Sequence, residues 1–162
     1  MKVKKLFQKN SYFWIVAIIG LILDQLTKYL VVQSFPELGD TKPLWLNVFH
    51  LTYVVNTGAA FSFFQGGASW LRWLSLLVSL GLMGVASFGP KMNVIEQLAY
   101  GLILAGALGN GVDRFLFGYV VDFLDFRLIR FPVFNLADVF INLGIAFLLV
   151  ATFRPTPSQP HQ

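Results

Sequence analysis

Four stretches of the chain are almost wholly apolar, at 12–32, 70–88, 94–112 and 136–153. A hydrocarbon core about 30 Å thick takes about 20 such residues as a helix, so the pattern predicts four membrane spans. The long connections are 33–69 and 113–135, whereas the link around Gly89-Pro90-Lys91 is short. Within the first connection, 46–56 is rich in β-branched and aromatic residues. It sets His50, Thr52 and Asn56 on one side of a strand and Phe49, Leu51, Tyr53 and Val55 on the other. Residues 119–126 share that character. These patterns predict one all-α membrane domain over 1–162, with four transmembrane helices and a small β-layer, within 33–69 and 113–135, lying on the outer membrane surface. No internal repeat is visible, and the polar tail after Arg154 reads as frayed.

Composition agrees with the pattern. Of 162 residues, 56% are hydrophobic and 12% charged, where soluble domains carry about 25% charge. The net charge of +4 owes much to Lys2, Lys4, Lys5 and Lys9 within the first nine residues. That clustering speaks against a nucleic-acid-binding surface. A basic start before an apolar run also describes a secretory signal sequence, but no A-x-A-like site follows, and the apolar run resumes after Lys28. Four spans put both termini on one side, and the lysine cluster marks that side as cytoplasmic. Basic residues then divide six against six between the two sides, yet seven of the eight acids, all but Glu96, fall toward the outer side. The polar chemistry therefore gathers at the outer face.

Several chemistries are excluded. Without cysteine there is no disulfide, thiolate metal site or cysteine nucleophile. His50 and His161 are the only histidines and no H-E-x-x-H occurs, so neither a zinc hydrolase nor any metal or cofactor is implied. Ser69, after Gly67-Ala68, lacks the membrane-embedded base that a serine nucleophile needs.

Ionisable groups within spans are costly and usually face a polar interior, which makes each a candidate for function. Asp24 and Lys28, at i and i+4, can pair on one helix face, with Lys28 reaching outward. Gly101, Ala105 and Gly109 make a small-residue seam for close helix approach. Asn110, Asp113 and Arg114 share a face, where Arg114 can bridge to Asp113 and brace the helix end. Asn135, Asp138 and Asn142 form a polar stripe at the outer end of the last apolar stretch, and Asp122 is a carboxylate bracketed by apolar residues. A buried lone carboxylate is paired or neutralised. Two such acids fit a catalytic dyad sharing one proton, a proton or ion path, or structural polar contacts.

Five ordered blocks narrow that choice: Asp24-Gln25-Leu26-Thr27-Lys28, Asn56-Thr57-Gly58-Ala59-Ala60-Phe61, Gly106-Ala107-Leu108-Gly109-Asn110-Gly111-Val112-Asp113-Arg114, Val120-Val121-Asp122-Phe123 and Phe134-Asn135-Leu136-Ala137-Asp138. Together, over residues 10–155, they resemble the bacterial lipoprotein signal peptidases, the type II signal peptidases, which are aspartyl proteases of the inner membrane. The resemblance implies that Asp122 and Asp138 are the catalytic dyad. They would activate water to attack the peptide bond before a diacylglyceryl-modified cysteine and so release a prolipoprotein's signal peptide. It implies that Asn110, Arg114 and Asn135 shape the site and that Asn56 and Gly58 contact substrate backbone. Asp24 and Lys28 would support the first helix, and Asp113 would steady Arg114. The expected partners are lipid-modified prolipoproteins and membrane phospholipids, with no nucleic acid, for a monomeric multi-pass protein of the inner membrane. A small proton- or ion-translocating protein is the alternative, although no matched repeats or broken helices point to one.

Overall fold

In the computed structural model, residues 9–58, 68–129 and 131–153 are described. Lys2, Lys4, Lys5, the Ala59-Ala60-Phe61 end of the second block, Gly67, Arg130, Arg154 and His161 lie outside them. The chain runs α1 (Ser11–Ser34), β1 (Thr41–Trp45), β2 (Phe49–Asn56), α2 (Ala68–Phe88), α3 (Val94–Leu116), β3 (Val120–Phe126) and α4 (Leu136–Thr152).

Helix α3 is central and packs against the other three, because both its flanks are lined with small residues. A side chain at Gly101 would strike the Phe13 carbonyl of α1 at 2.7 Å, and one at Gly20 would strike Ala105 at 2.7 Å. The expected Gly101-Ala105-Gly109 seam thus faces α1, with Gly109 against Asp24. A second seam, one residue along at Gly106, receives Ala137 and Ile141 of α4. At the far end Asn10 takes the Met92 N–H (3.0 Å) and donates to the Ala86 carbonyl (2.9 Å), stitching α1 to the α2–α3 link. Asn93 and Glu96 close a capping box that starts α3.

Among the described residues two helices, α1 and α2, are long and apolar enough to cross a membrane. Helix α4 is apolar but has 17 residues, and α3 has 23 with Glu96, Asp113 and Arg114 in its end turns. It runs past the expected stop at 112 because Asp113 and Arg114 find partners inside the protein, and it ends before Gly118, whose φ of 78° only glycine adopts freely. Large apolar side chains on the outer faces of the bundle stand about half exposed, among them Ile15, Ile19, Ile22, Tyr29, Leu77 and Leu149.

The β-layer is a three-stranded antiparallel sheet in the order β1-β2-β3. Strand β2 begins at Phe49 rather than 46, since Leu46-Asn47-Val48 turn the hairpin with Asn47 at φ 59°. Strand β1 has no counterpart in the sequence reading. It contains a proline and is exposed throughout, so it carries no alternation to read. One face of the sheet closes over the bundle end through a cluster of Val31, Phe35, Val121 and Phe123, with Leu51, Tyr53 and Leu136 against it.

Candidate active site

Three short elements meet at the C-terminal end of α3. Strand β3 presents Asp122, and Phe134 pairs with Leu124 by exchanged backbone hydrogen bonds, so that Asn135 and the start of α4 lie beside β3. Asn135 caps α4. Its Oδ1 accepts the Asp138 N–H at 3.0 Å, and Asp138 Oδ2 accepts the Asn135 N–H at 3.3 Å. With its oxygen occupied by the cap, Asn135 must turn its NH2 toward β3, where it donates to Asp122 Oδ1 at 2.6 Å and to Asn110 Oδ1 at 3.0 Å. The second Asp122 oxygen accepts from Asn56 Nδ2 at 3.0 Å, and Asp138 Oδ1 accepts from Asn110 Nδ2 at 2.9 Å. Residues 56, 110, 122, 135 and 138, far apart in sequence, thus form one hydrogen-bonded network.

Asp122 is 2% exposed. Burial, and next the Asp138 charge, push its carboxyl up to about 7, against the pull of the Asn56 and Asn135 hydrogen bonds and of Lys28. Both aspartates face a cavity of about 940 Å³ whose polar wall also holds Asn56, Thr57, Gly58 and Asn142, and whose remaining wall includes Val54, Phe131, Val139 and Ile141. On its other side Asp138 borders a smaller groove of about 310 Å³ between α2, α3 and α4. Among the described residues no group of acids and histidines is suited to hold a metal. The arrangement can polarise a small molecule between an acid that holds a proton near neutrality and a second carboxylate.

Two expectations about the surrounding charges are corrected. Asp113 does not bridge to Arg114. Successive helical residues point to different sides, and Asp113 turns to Lys28 (2.8 Å) and Gln25 (2.9 Å). Arg114 instead donates to the Asn110 carbonyl (3.3 Å) and the Gly58 carbonyl (3.1 Å), tying α3 to the end of β2. Lys28 does pair with Asp24 at 2.9 Å, but it is buried and points inward to Asp113 and Asn110 instead of reaching outward. Gln25, to which the sequence assigns no role of its own, also belongs to this cluster. It contacts Asp24, Asp113 and the Gly109 carbonyl, and its signal was its place in the Asp24-Gln25-Leu26-Thr27-Lys28 block. A separate polar cluster stands on the sheet, with no spacing in the sequence to signal it: Thr52 donates to Asp125 at 2.6 Å and Arg127 pairs with it at 2.8 Å. Burial opposes ionisation of Asp125, but Thr52 and Arg127 hold it below the usual carboxylate range.

Comparison with known proteins identifies the family. A family profile described as signal peptidase (SPase) II matches residues 16–154. The chain is 72% identical to a lipoprotein signal peptidase of Gloeothece citriformis, covering 94% of this chain and 96% of that protein. It is 74% identical to one of Microcystis aeruginosa, covering 91% and 96%. Among solved structures it is similar to a bacterial membrane enzyme determined by the in meso method at 2.3 Å resolution, with a TM-score of 0.82 and 29% identity over 91% of this chain and 92% of that one.

Proposed function

The chain belongs to the signal peptidase (SPase) II family, and from that premise we propose that it is an aspartic endopeptidase whose dyad is Asp122 and Asp138. It is a membrane peptidase that removes signal peptides from prolipoproteins. One observation carries the aspartic reading: Asn135 and Asn110 hold the two carboxyls in one network at the wall of the apolar cavity. Water between them gives a proton to Asp138 as its oxygen attacks the carbonyl carbon, and Asp122 gives its proton to the carbonyl oxygen. Collapse of the tetrahedral intermediate breaks the C–N bond, and the leaving nitrogen takes a proton from the dyad. Asn56 and Gly58 line the cavity where substrate backbone would pass. Val54, Phe131 and Ile141 supply an apolar wall suited to the diacylglyceryl group of a modified cysteine.

The same reading supplies a membrane arrangement. The chain forms a single domain that crosses the bacterial inner membrane four times, with both termini cytoplasmic, the sheet on the outer surface and the enzyme acting as a monomer. The 23 residues of α3 and the 17 of α4 rise about 34 and 26 Å at 1.5 Å per residue, which suits a bundle whose site lies near the headgroups. The similar proteins do not favour the proton- or ion-translocating alternative.

The test is cleavage of a lipid-modified prolipoprotein by the purified wild type and by Asp122→Asn and Asp138→Asn. The expected result is that only wild type cuts and that the unmodified precursor is spared. Activity in either folded variant removes that aspartate from the chemistry.

A further inference from the structure

Lys28 lies in α1, outside the walls of the cavity, and is 4% exposed. An ammonium has three N–H donors, and three oxygens receive them: Asp24 Oδ2 at 2.9 Å, Asp113 Oδ2 at 2.8 Å and Asn110 Oδ1 at 3.1 Å. Each partner leads to the dyad. Asp24 Oδ1 accepts the N–H of Ala137, the residue before Asp138, at 2.9 Å. This N–H belongs to the first turn of α4, where the helix offers no partner of its own and an anion is favoured. Asp113 Oδ2 accepts the N–H of Val121, the residue before Asp122, at 3.3 Å. Asn110, with its oxygen held by Lys28, has only its NH2 to offer Asp138, and the same oxygen takes the Asn135 amide that also reaches Asp122.

We propose that Lys28 is a positioning residue for the reaction: one ammonium joins the two backbone anchors and the shared amide that set Asp122 and Asp138 relative to each other. The proposal rests on the aspartic reading above and assigns Lys28 a part beyond support of the first helix. Packing alone does not account for the cluster. Two buried acidic side chains share one ammonium here, and apolar side chains of similar volume often hold such a site equally well. Apolar groups cannot fix the direction of three hydrogen bonds, and a displacement of about 1 Å at a reacting centre can cost about 100-fold in rate.

The charged groups facing Asp122 are Asp138 from α4, Lys28 from α1 and Arg114 from α3, while β2 contributes the uncharged Asn56. Lys28 draws the Asp122 carboxyl down, so its loss moves the alkaline limb of the kcat profile to higher pH. The test compares the full-length enzyme in detergent micelles with Lys28→Met and Asp113→Asn, using a lipid-modified prolipoprotein and thermal melting of each variant. Lys28→Met is expected to lower kcat by about 100-fold with KM nearly unchanged and to displace the alkaline limb upward. Asp113→Asn keeps the side-chain size with one charge fewer, and is expected to fold and to lower kcat through the Val121 anchor. It carries the test alone if Lys28→Met does not fold. Wild-type kcat in either folded variant overturns the proposal, as does a lower melting temperature with kcat and pH profile unmoved. Asp122→Asn runs alongside: if it still cuts, the aspartic reading fails, and if it is inactive while Lys28→Met cuts normally, only the positioning proposal fails.

Discussion

Asn135 shows how much one side chain can decide. Its oxygen caps α4, which leaves its NH2 to bind Asp122, so the cap that starts the helix also orients the acid across from it. The two aspartates were legible as carboxylates in apolar company, and Asn135 as part of a polar stripe. Their hydrogen bonds were not, because separation along the chain carries no information about which oxygen an amide will meet. The raised carboxyl of Asp122 has a consequence for stability. An unfolded aspartate titrates near 3.9, whereas the folded one does so at about 7, so between these values the folded state binds the extra proton. Stability therefore falls as pH rises through that window. The melting temperature is expected to decline from about pH 5 to pH 8, and Asp122→Asn is expected to flatten that decline. An equal slope in wild type and variant would contradict the buried titration. In the dyad reading, kcat is lost over the same upper range as Asp122 gives up its proton.

At the scale of elements, α3 is built from two seams of small residues set one position apart. The sequence displayed the first, Gly101, Ala105 and Gly109, through its four-residue spacing, but not the helix it would meet. The second seam matters more for the site, because Gly106 lies against Ala137 and Ile141, next to Asp138. A methyl group there would come within 2.6 Å of Ile141 Cγ1 and also press on the Ala137 backbone. Gly106→Ala is thus expected to cost about 1–3 kcal/mol, as overpacking does, and to displace Asp138 enough to lower cleavage at least tenfold. Gly81 in α2 has nothing within 4 Å. Gly81→Ala is expected to leave cleavage unchanged and to raise stability slightly, by up to about 1 kcal/mol from helix propensity. Melting curves and initial rates for the pair check both outcomes, and similar effects at the two positions would refute the seam argument.

Over the whole molecule, the half-exposed apolar faces of the helices lead toward a sheet whose hairpin tip is also apolar. Leu44, Trp45 and Leu46 are each more than 60% exposed, and Leu128 and Ile129 are exposed in the loop that Arg127 joins to Val48. Trp is favoured at the headgroup boundary, so with Trp14, Trp70 and Trp73 changed to Phe, the remaining Trp45 is expected to be quenched by lipids brominated near the glycerol. Emission as in water would lift the hairpin off the bilayer. The sequence by itself determined the membrane character, the helical stretches and the presence of two aspartates in apolar company, because apolar length, period and the cost of burying charge are local properties of the chain. Only the tertiary structure decided that Asp113 turns from Arg114 to Lys28, that Lys28 points inward, that β1 completes the sheet, and that Asn110 and Asn135 join the aspartates. Those outcomes depend on which polar atoms the packed helices and strands bring within about 3 Å of one another, a distance that no spacing along the chain encodes.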